Sequence, residues 1–175
     1  MLISNNYKKL NARLHTENEA YGISAGQYIP TIVSYATQLE AQNILDYGCG
    51  KGIVNKTLGN KIEVVEYDPA IKGKDSDPKA CDMLVSIDVM EHIEPDCVDD
   101  VVAHMAEKTN KGAFVTICTV PAKKVLEDGR NAHICLESCG WWVDKFAKHF
   151  THIVILTGQH TFALMMTGKV LHKEK

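Results

Sequence analysis

The chain lacks an excess of positive charge: 19 Lys and Arg stand against 22 Asp and Glu, for a formal net charge of -3. That balance argues against a protein that grips duplex nucleic acid mainly through its phosphates, so nucleic acid is not an expected partner. No apolar run is long enough to span a membrane, so no membrane partner is expected. The first residues, Met1-Leu2-Ile3-Ser4-Asn5-Asn6, lack the basic and apolar regions of a secretory signal. None of the cysteines, at 49, 81, 97, 118, 135 and 139, forms a CxxC pair. Several fall in apolar runs, where a free thiol behaves as a small buried hydrophobe, and a reducing cytoplasm is the expected location. Repeats, low-complexity tracts and Pro/Gly/Ser-rich linkers are also missing. What remains is an ordinary globular composition, 45% hydrophobic and 23% charged over 175 residues, which suits one well-packed core.

Hydrophobic periodicity orders the elements. Tyr7, Leu10 and Leu14 share a helical face, and residues 15–28 read as a polar connection holding Tyr21, Gly22 and Gly26. Pro30 opens a second helix carrying Ile32, Val33, Ala36 and Leu39. Buried strands are expected at 43–47, 63–67, 82–87 and 113–118, with helices through Ile53–Leu58 and Val98–Met105. Asn110-Lys111-Gly112 is expected to close the latter helix. An irregular stretch runs from Pro121 to about Glu137. Ser138 then caps a helix bearing Trp142, Val143, Phe146 and Phe150, and strands follow at 152–157 and 161–170. Alternating strands and helices with a terminal hairpin predict an α/β protein, a parallel sheet with an antiparallel edge.

The strongest motif is Asp46-x-Gly48-x-Gly50-x-Gly52, where a strand gives way to a helix. Glycines allow a sharp turn and a close backbone approach to a ligand, and ligands of parallel sheets bind outside the carboxyl ends of the strands. A turn without a ligand would use the same residues. Asp68 ends the next strand, where a carboxylate can accept from both hydroxyls of a ribose, or simply form a turn before Pro69. A pyrophosphate-binding nicotinamide site needs G-x-G-x-x-G, but here Val54 is not glycine and the third glycine comes one residue early. The spacing favours a nucleoside ligand without a pyrophosphate.

Asn43-Ile-Leu-Asp-Tyr-Gly-Cys-Gly-Lys-Gly52, Val65-Glu-Tyr-Asp-Pro69 and Asp82-Met-Leu-Val-Ser-Ile-Asp-Val-Met-Glu-His92, in that order, resemble three motifs of the class I S-adenosylmethionine-dependent methyltransferases. The resemblance covers about residues 42 to 170. More narrowly, Tyr21-Gly22, Asp128-Gly-Arg-Asn-Ala-His133 and Trp141-Trp142 are similar to small phage and bacterial methyltransferase-domain proteins, which for a phage-encoded chain would mean the host cytoplasm. It implies a Rossmann-like sandwich forming one domain over 1–175, with 1–41 as a helical cap on a core at 42–170. It also implies that S-adenosyl-L-methionine is held by Asp46, Tyr47, Gly48, Cys49, Gly50, Gly52, Asp68, Pro69, Ser86, Ile87 and Asp88. Residues 69–81 are too few for the helix, strand and helix that the family usually fits there, so its third strand is expected to be missing or reduced. The adenine-contacting acid would go with it, leaving Asp75, Ser76 or Asp77 to replace that contact.

Methyl transfer mainly needs alignment of nucleophile, carbon and sulfur, and sometimes removal of a proton. The loop after strand 113–118 holds the expected machinery. His133 serves as a base, Asp128 orients it, Arg130 clamps an anionic acceptor, and Asn131, Lys123 and Lys124 stand nearby. Asp128-Gly129 also reads as an ordinary turn. His92 could reach the cleft or cap a helix, and Trp141 and Trp142 read as core and rim. His133, Cys135 and Cys139 lack a fourth ligand and a zinc spacing, so no metal site is expected. No Asn/Asp-Pro-Pro-aromatic or Pro-Cys sequence marks a DNA-modifying enzyme. The expected acceptor is therefore an oxygen or nitrogen of a small anionic molecule. The rivals are an enzyme that breaks the cofactor down, a nicotinamide-dependent oxidoreductase and a non-catalytic binding module.

Overall fold

The computed structural model describes residues 1–18 and 21–170. In chain order the elements are α1 (Asn5–Glu17), α2 (Ile29–Gln38), β1 (Asn43–Tyr47), α3 (Ile53–Leu58), β2 (Glu63–Tyr67), β3 (Cys81–Ile87), α4 (Val98–Glu107), β4 (Thr109–Cys118), α5 (Cys139–Phe146), β5 (Phe150–Thr157) and β6 (Thr161–Lys169). The strands form one 6-stranded sheet in the order β2-β1-β3-β4-β6-β5. β1 to β4 pair in parallel, and β6 pairs antiparallel with both β4 and β5. The reversed strand is thus β6, inserted one place inside the sheet, while β5 forms the edge.

Strand alternation divides the core between the two faces of the sheet. Ile44, Met83, Val85 and Phe114 face α2 and α3, where Ile32, Val54 and Leu58 meet them. Leu45, Leu84, Val115 and Leu164 face the other way, against Val101, Met105, Trp142 and Phe146 of α4 and α5. The result is the expected helix–sheet–helix sandwich. No helix or strand occurs between Tyr67 and Cys81, so the family's third strand is absent.

Several boundaries differ from the sequence reading. α1 continues to Glu17, and Ser24–Tyr28 forms a 3-10 turn inside the expected connection. α4 stops at Glu107, because β4 already begins at Thr109, where pairing with β3 competes for the backbone. Phe150 opens β5 instead of ending the last helix, and it is buried against Phe146.

The N-terminal helix is placed by side chains. The Ser4 hydroxyl accepts from the Tyr7 amide and caps α1. The Ser4 amide and hydroxyl donate to the two carboxylate oxygens of Glu94, at 2.8 and 2.7 Å. Lys8 pairs with Asp75 and Arg13 with Glu127. These ties stretch α1 between the 69–80 segment and the 121–137 loop, over the carboxyl ends of the parallel strands.

Candidate active site

At those strand ends lies a cavity of about 420 Å³. One half is built from the glycine-rich turn. Gly48 and Gly50 have φ of 76° and 49°. This left-handed region strains any residue with a Cβ. The turn is anchored because the Gly48 and Cys49 amides both donate to the Tyr67 carbonyl, at 2.8 and 3.0 Å. A Cβ on Gly50 would lie 2.9 Å from the Gly22 Cα, so the Tyr21–Gly22 segment lies directly on this turn. The Lys51 amide donates to the Gly22 carbonyl, fastening the two together.

Asp46, Tyr47, Gly48, Cys49, Gly50, Asp68, Pro69, Ile87 and Asp88 all line the cavity, whereas Gly52 and Ser86 do not. Gly52 starts α3, and a Cβ there would collide with Glu66. Ser86 is fully buried in the sheet. Asp46 is 3% exposed, and its Oδ2 has no hydrogen-bond partner among the described residues. Burial first, then the charges of Glu66 and Asp68 opposed by Lys74, push its carboxyl up to about 7. Asp68 accepts from the Gly50 and Ala70 amides, and His15 of α1 stands 3.7 Å from its Oδ2. Burial lowers the pKa of His15, with Asp68 pulling the other way. Asp88 has φ of 53°, a left-handed conformation that Asp tolerates, held by bonds with Thr116 at the mouth of β4.

The other half of the cavity lies against the 121–137 loop. Glu91 is fully buried, yet it lines the cavity. Its Oε1 accepts from the Cys118 amide at 3.0 Å, and its Oε2 has no partner among the described residues. Burial and the Asp88 charge push this carboxyl up to about 8. The His133 Nδ1 bonds the Val120 carbonyl at 2.6 Å, so this nitrogen carries a proton. In the neutral ring the lone pair is then on Nε2. His92 bonds the Ala132 carbonyl through Nδ1, and its ring meets that of His133 edge-on at 4.7 Å. Burial, with His133 alongside, lowers His92 to about 4. Lys123 and Lys124 complete this wall, Lys124 lying over the Tyr21 ring.

The loop therefore divides. His133, Lys123 and Lys124 reach the cavity, but Asp128, Arg130 and Asn131 do not line it. Asp128 and Arg130 pair with each other on the exposed turn, and the Arg130 guanidinium lies over Tyr7. Asn131 clips the loop by bonding both backbone groups of Ala122 and the His133 amide. The expected Asp128–His133 pairing gives way to this local pairing, because Gly129 at φ 86° turns the two residues back on themselves. Trp142 is buried under the sheet and Trp141 packs beside it, both away from the cavity. Asp75 is held by Lys8 and Asp77 by His104 and Lys108, and residues 75–77 do not line the cavity. None of the three is thus placed on the cavity wall, where the adenine contact was expected of them.

Sequence reasoning missed Glu91, Cys118, Tyr7, Asn11 and His15 as cavity residues. For Glu91 a signal existed, since it is the neighbour of His92 in the third motif. α1 gave none beyond amphipathic spacing.

A methyltransferase-domain family model matches residues 13–166. No curated protein matches. Among solved structures, the methyltransferase domain of a bacterial CtHen1 is 17% identical at a TM-score of 0.57, covering 82% of this chain and 99% of that one. The Burkholderia thailandensis 1,6-didemethyltoxoflavin-N1-methyltransferase, with its substrate and S-adenosylhomocysteine bound, is 12% identical at 0.64, over 91% and 86%. The magnesium protoporphyrin IX methyltransferase of Synechocystis, with S-adenosylhomocysteine bound, is 10% identical at 0.60, over 93% and 96%. At such identities these likenesses speak to the fold. With the family model spanning most of its length, the chain belongs to the methyltransferase-domain family.

Proposed function

We propose that the protein uses S-adenosylmethionine to methylate an oxygen or nitrogen of a small, anionic molecule. The buried Asp46 Oδ2, without a partner among the described residues and beside the glycine-rich turn, carries this reading: such a carboxylate calls for a cationic group, and the methionine part of the cofactor has one. Asp68, held at the end of β2, would take the ribose hydroxyls. Structures of the same fold that hold S-adenosylhomocysteine support the choice of ligand.

When bound, S-adenosylmethionine supplies a methyl group on a positively charged sulfur, a good leaving group that needs no covalent help. The residues of the chain align and desolvate the reactants. Ile87 and Asp88 would flank the transferring carbon. His133, with its lone pair on Nε2, would act as the catalytic base and take the proton of the acceptor atom as the methyl group is transferred. Lys123 and Lys124 would replace Arg130 as the cations that hold an anionic acceptor. Lys124→Ala should then raise the acceptor KM with little change in kcat.

Calorimetry tests the reading: S-adenosylmethionine and S-adenosylhomocysteine should bind, and NAD should not. Tight NAD binding with no response to either sulfur nucleoside would overturn it, and rapid acceptor-free breakdown of the cofactor would assign a different chemistry. Asp68→Ala should weaken binding by roughly 1.5–3 kcal/mol, the scale of a lost charge-assisted hydrogen bond.

A pH dependence follows from Asp46. Its pKa in the folded protein is raised to about 7, so the carboxyl is mostly neutral below that pH. A cationic ligand pairs with the ionised form, and its binding must expel the proton. Affinity for S-adenosylmethionine should fall by about tenfold for each pH unit below 7. Toward and above pH 8 it should fall again as the ligand's amino group, with a pKa of about 8, loses its charge. Asp46→Asn should bind weakly and lose the acid limb; an acid limb that survives that change would remove Asp46 from the site.

A further inference from the structure

Glu91, Cys118 and His133 each offer one ligand atom, and these atoms all lie within 4.8 Å of one another. Three elements contribute them: the segment after β3, the end of β4 and the 121–137 loop. We propose that this trio is a site for a zinc-like divalent cation at the acceptor end of the cleft, with an open position for an oxygen of the methyl acceptor.

The donor set fits such an ion. A thiolate, an imidazole and a carboxylate are all zinc ligands, and four-coordinate zinc with bonds of 2.0–2.3 Å holds its ligand atoms roughly 3.3–3.7 Å apart. Side-chain shifts within an ångström or so would close the observed spacing. The supporting contacts are those that ligands need. The Val120 carbonyl accepts from His133 Nδ1, which leaves Nε2 as the nitrogen with a lone pair for an ion. The Cys118 thiol donates to the same carbonyl at 3.7 Å, a bond it would give up on releasing its proton to bind the ion as thiolate. Glu91 is steadied through Oε1 by the Cys118 amide, which leaves the buried Oε2 without a partner among the described residues. A fully buried carboxylate oxygen beside a thiol and an imidazole nitrogen is costly unless a proton or a cation satisfies it.

Glu91, Cys118 and His133 all line the cavity, so the fourth position of the ion opens toward the proposed acceptor. Three protein ligands with an open place mark a catalytic rather than a structural zinc site. Such an ion would favour an acceptor with an ionisable hydroxyl or a carboxylate, by binding its oxygen and easing loss of a proton to solvent. This assignment of the acceptor rests on the methyltransferase reading; the cation site itself does not.

Cobalt(II) is the probe, because it reports its ligands in the visible and near-ultraviolet spectrum. Chelator-treated protein titrated with cobalt chloride should take up one equivalent, with a thiolate-to-metal charge-transfer band and the intense d–d bands of a four-coordinate ion. Zinc chloride should displace it. Cys118→Ser should abolish the charge-transfer band, and Glu91→Gln and His133→Ala should each weaken cobalt binding by about tenfold or more. Each variant is to be titrated with S-adenosylhomocysteine in parallel; Cys118→Ser, a near-isosteric change, keeps the test open if Glu91→Gln does not fold. Absence of stoichiometric cobalt and zinc binding, or an unchanged cobalt spectrum in Cys118→Ser, would overturn the site. Turnover of an acceptor-containing extract should drop on chelation and return with zinc. Metal binding with turnover indifferent to chelation would overturn the acceptor assignment. Failure to bind S-adenosylhomocysteine in any form would overturn the methyltransferase reading while leaving the cation site to its own spectra.

Discussion

Alanine at His133 should lower kcat by about 10²–10⁴-fold and leave the affinity for S-adenosylhomocysteine unchanged. The imidazole lines the cavity, its Nδ1 committed to the Val120 carbonyl and its lone pair on Nε2. Whether it takes the acceptor's proton or holds a cation that does the same work, its loss removes a transition-state interaction and no cofactor contact. Release of S-adenosylhomocysteine from an acceptor-containing extract measures the effect, beside a circular-dichroism melt of each variant. Asp128→Asn and Arg130→Ala provide the contrast: they pair with each other outside the cavity, and changing either should alter turnover only a few-fold. A His133→Ala variant as active as the parent would remove the residue from the mechanism.

That contrast shows how far the sequence could be read. The loop leaves the end of the central strand β4, as the order of elements predicts, and three of its polar residues reach the cavity. Which residues these are depends on the turn at Gly129 and on Asn131, whose side chain fastens Ala122 to His133. Such side-chain-to-backbone clips involve residues with no periodicity, so nothing in the spacing separates a polar residue that points inward from one that pairs with its neighbour. The strands were legible for the opposite reason. Ile44, Leu45, Met83 and Leu84 alternate between two apolar faces, and this pattern fixes the register of the sheet almost alone. The end of α4 is not legible, because β4 starts earlier than propensity suggests, which only pairing with β3 decides.

The glycine-rich turn is legible in the sequence as a sharp turn at the end of β1, but the reason for its glycines is only half visible there. Close approach to a ligand was expected; the structure adds close approach to the chain itself. Gly22 from the N-terminal segment lies against Gly50, and the amide of Gly50 donates to Asp68 Oδ2 at 3.2 Å. The N-terminal segment, the turn and the expected ribose ligand therefore depend on one another.

Gly50→Leu should consequently abolish measurable binding of S-adenosylmethionine and S-adenosylhomocysteine. At φ 49° any side chain costs about 1–2 kcal/mol in backbone strain alone. The added Cβ would also meet Gly22 Cα at 2.9 Å and its carbonyl oxygen at 3.0 Å, backbone atoms that have no rotamer to escape into. Either the Tyr21–Gly22 segment lifts, taking with it the bond from the Lys51 amide, or the turn shifts and withdraws its amide from Asp68. Both outcomes dismantle the wall of the cavity that Gly50, Gly22 and Asp68 share, where the proposed cofactor would sit. Gly50→Ala should show the same loss in milder form, with a lowered melting temperature. Gly140→Ala supplies the control, since a Cβ there meets nothing within 4 Å and the position lies in the first turn of α5, remote from the cavity. Calorimetry on variants shown by their melts to be folded decides the matter: a folded Gly50→Leu protein that binds either nucleoside within a few-fold of the parent would mean that the cofactor does not use this turn.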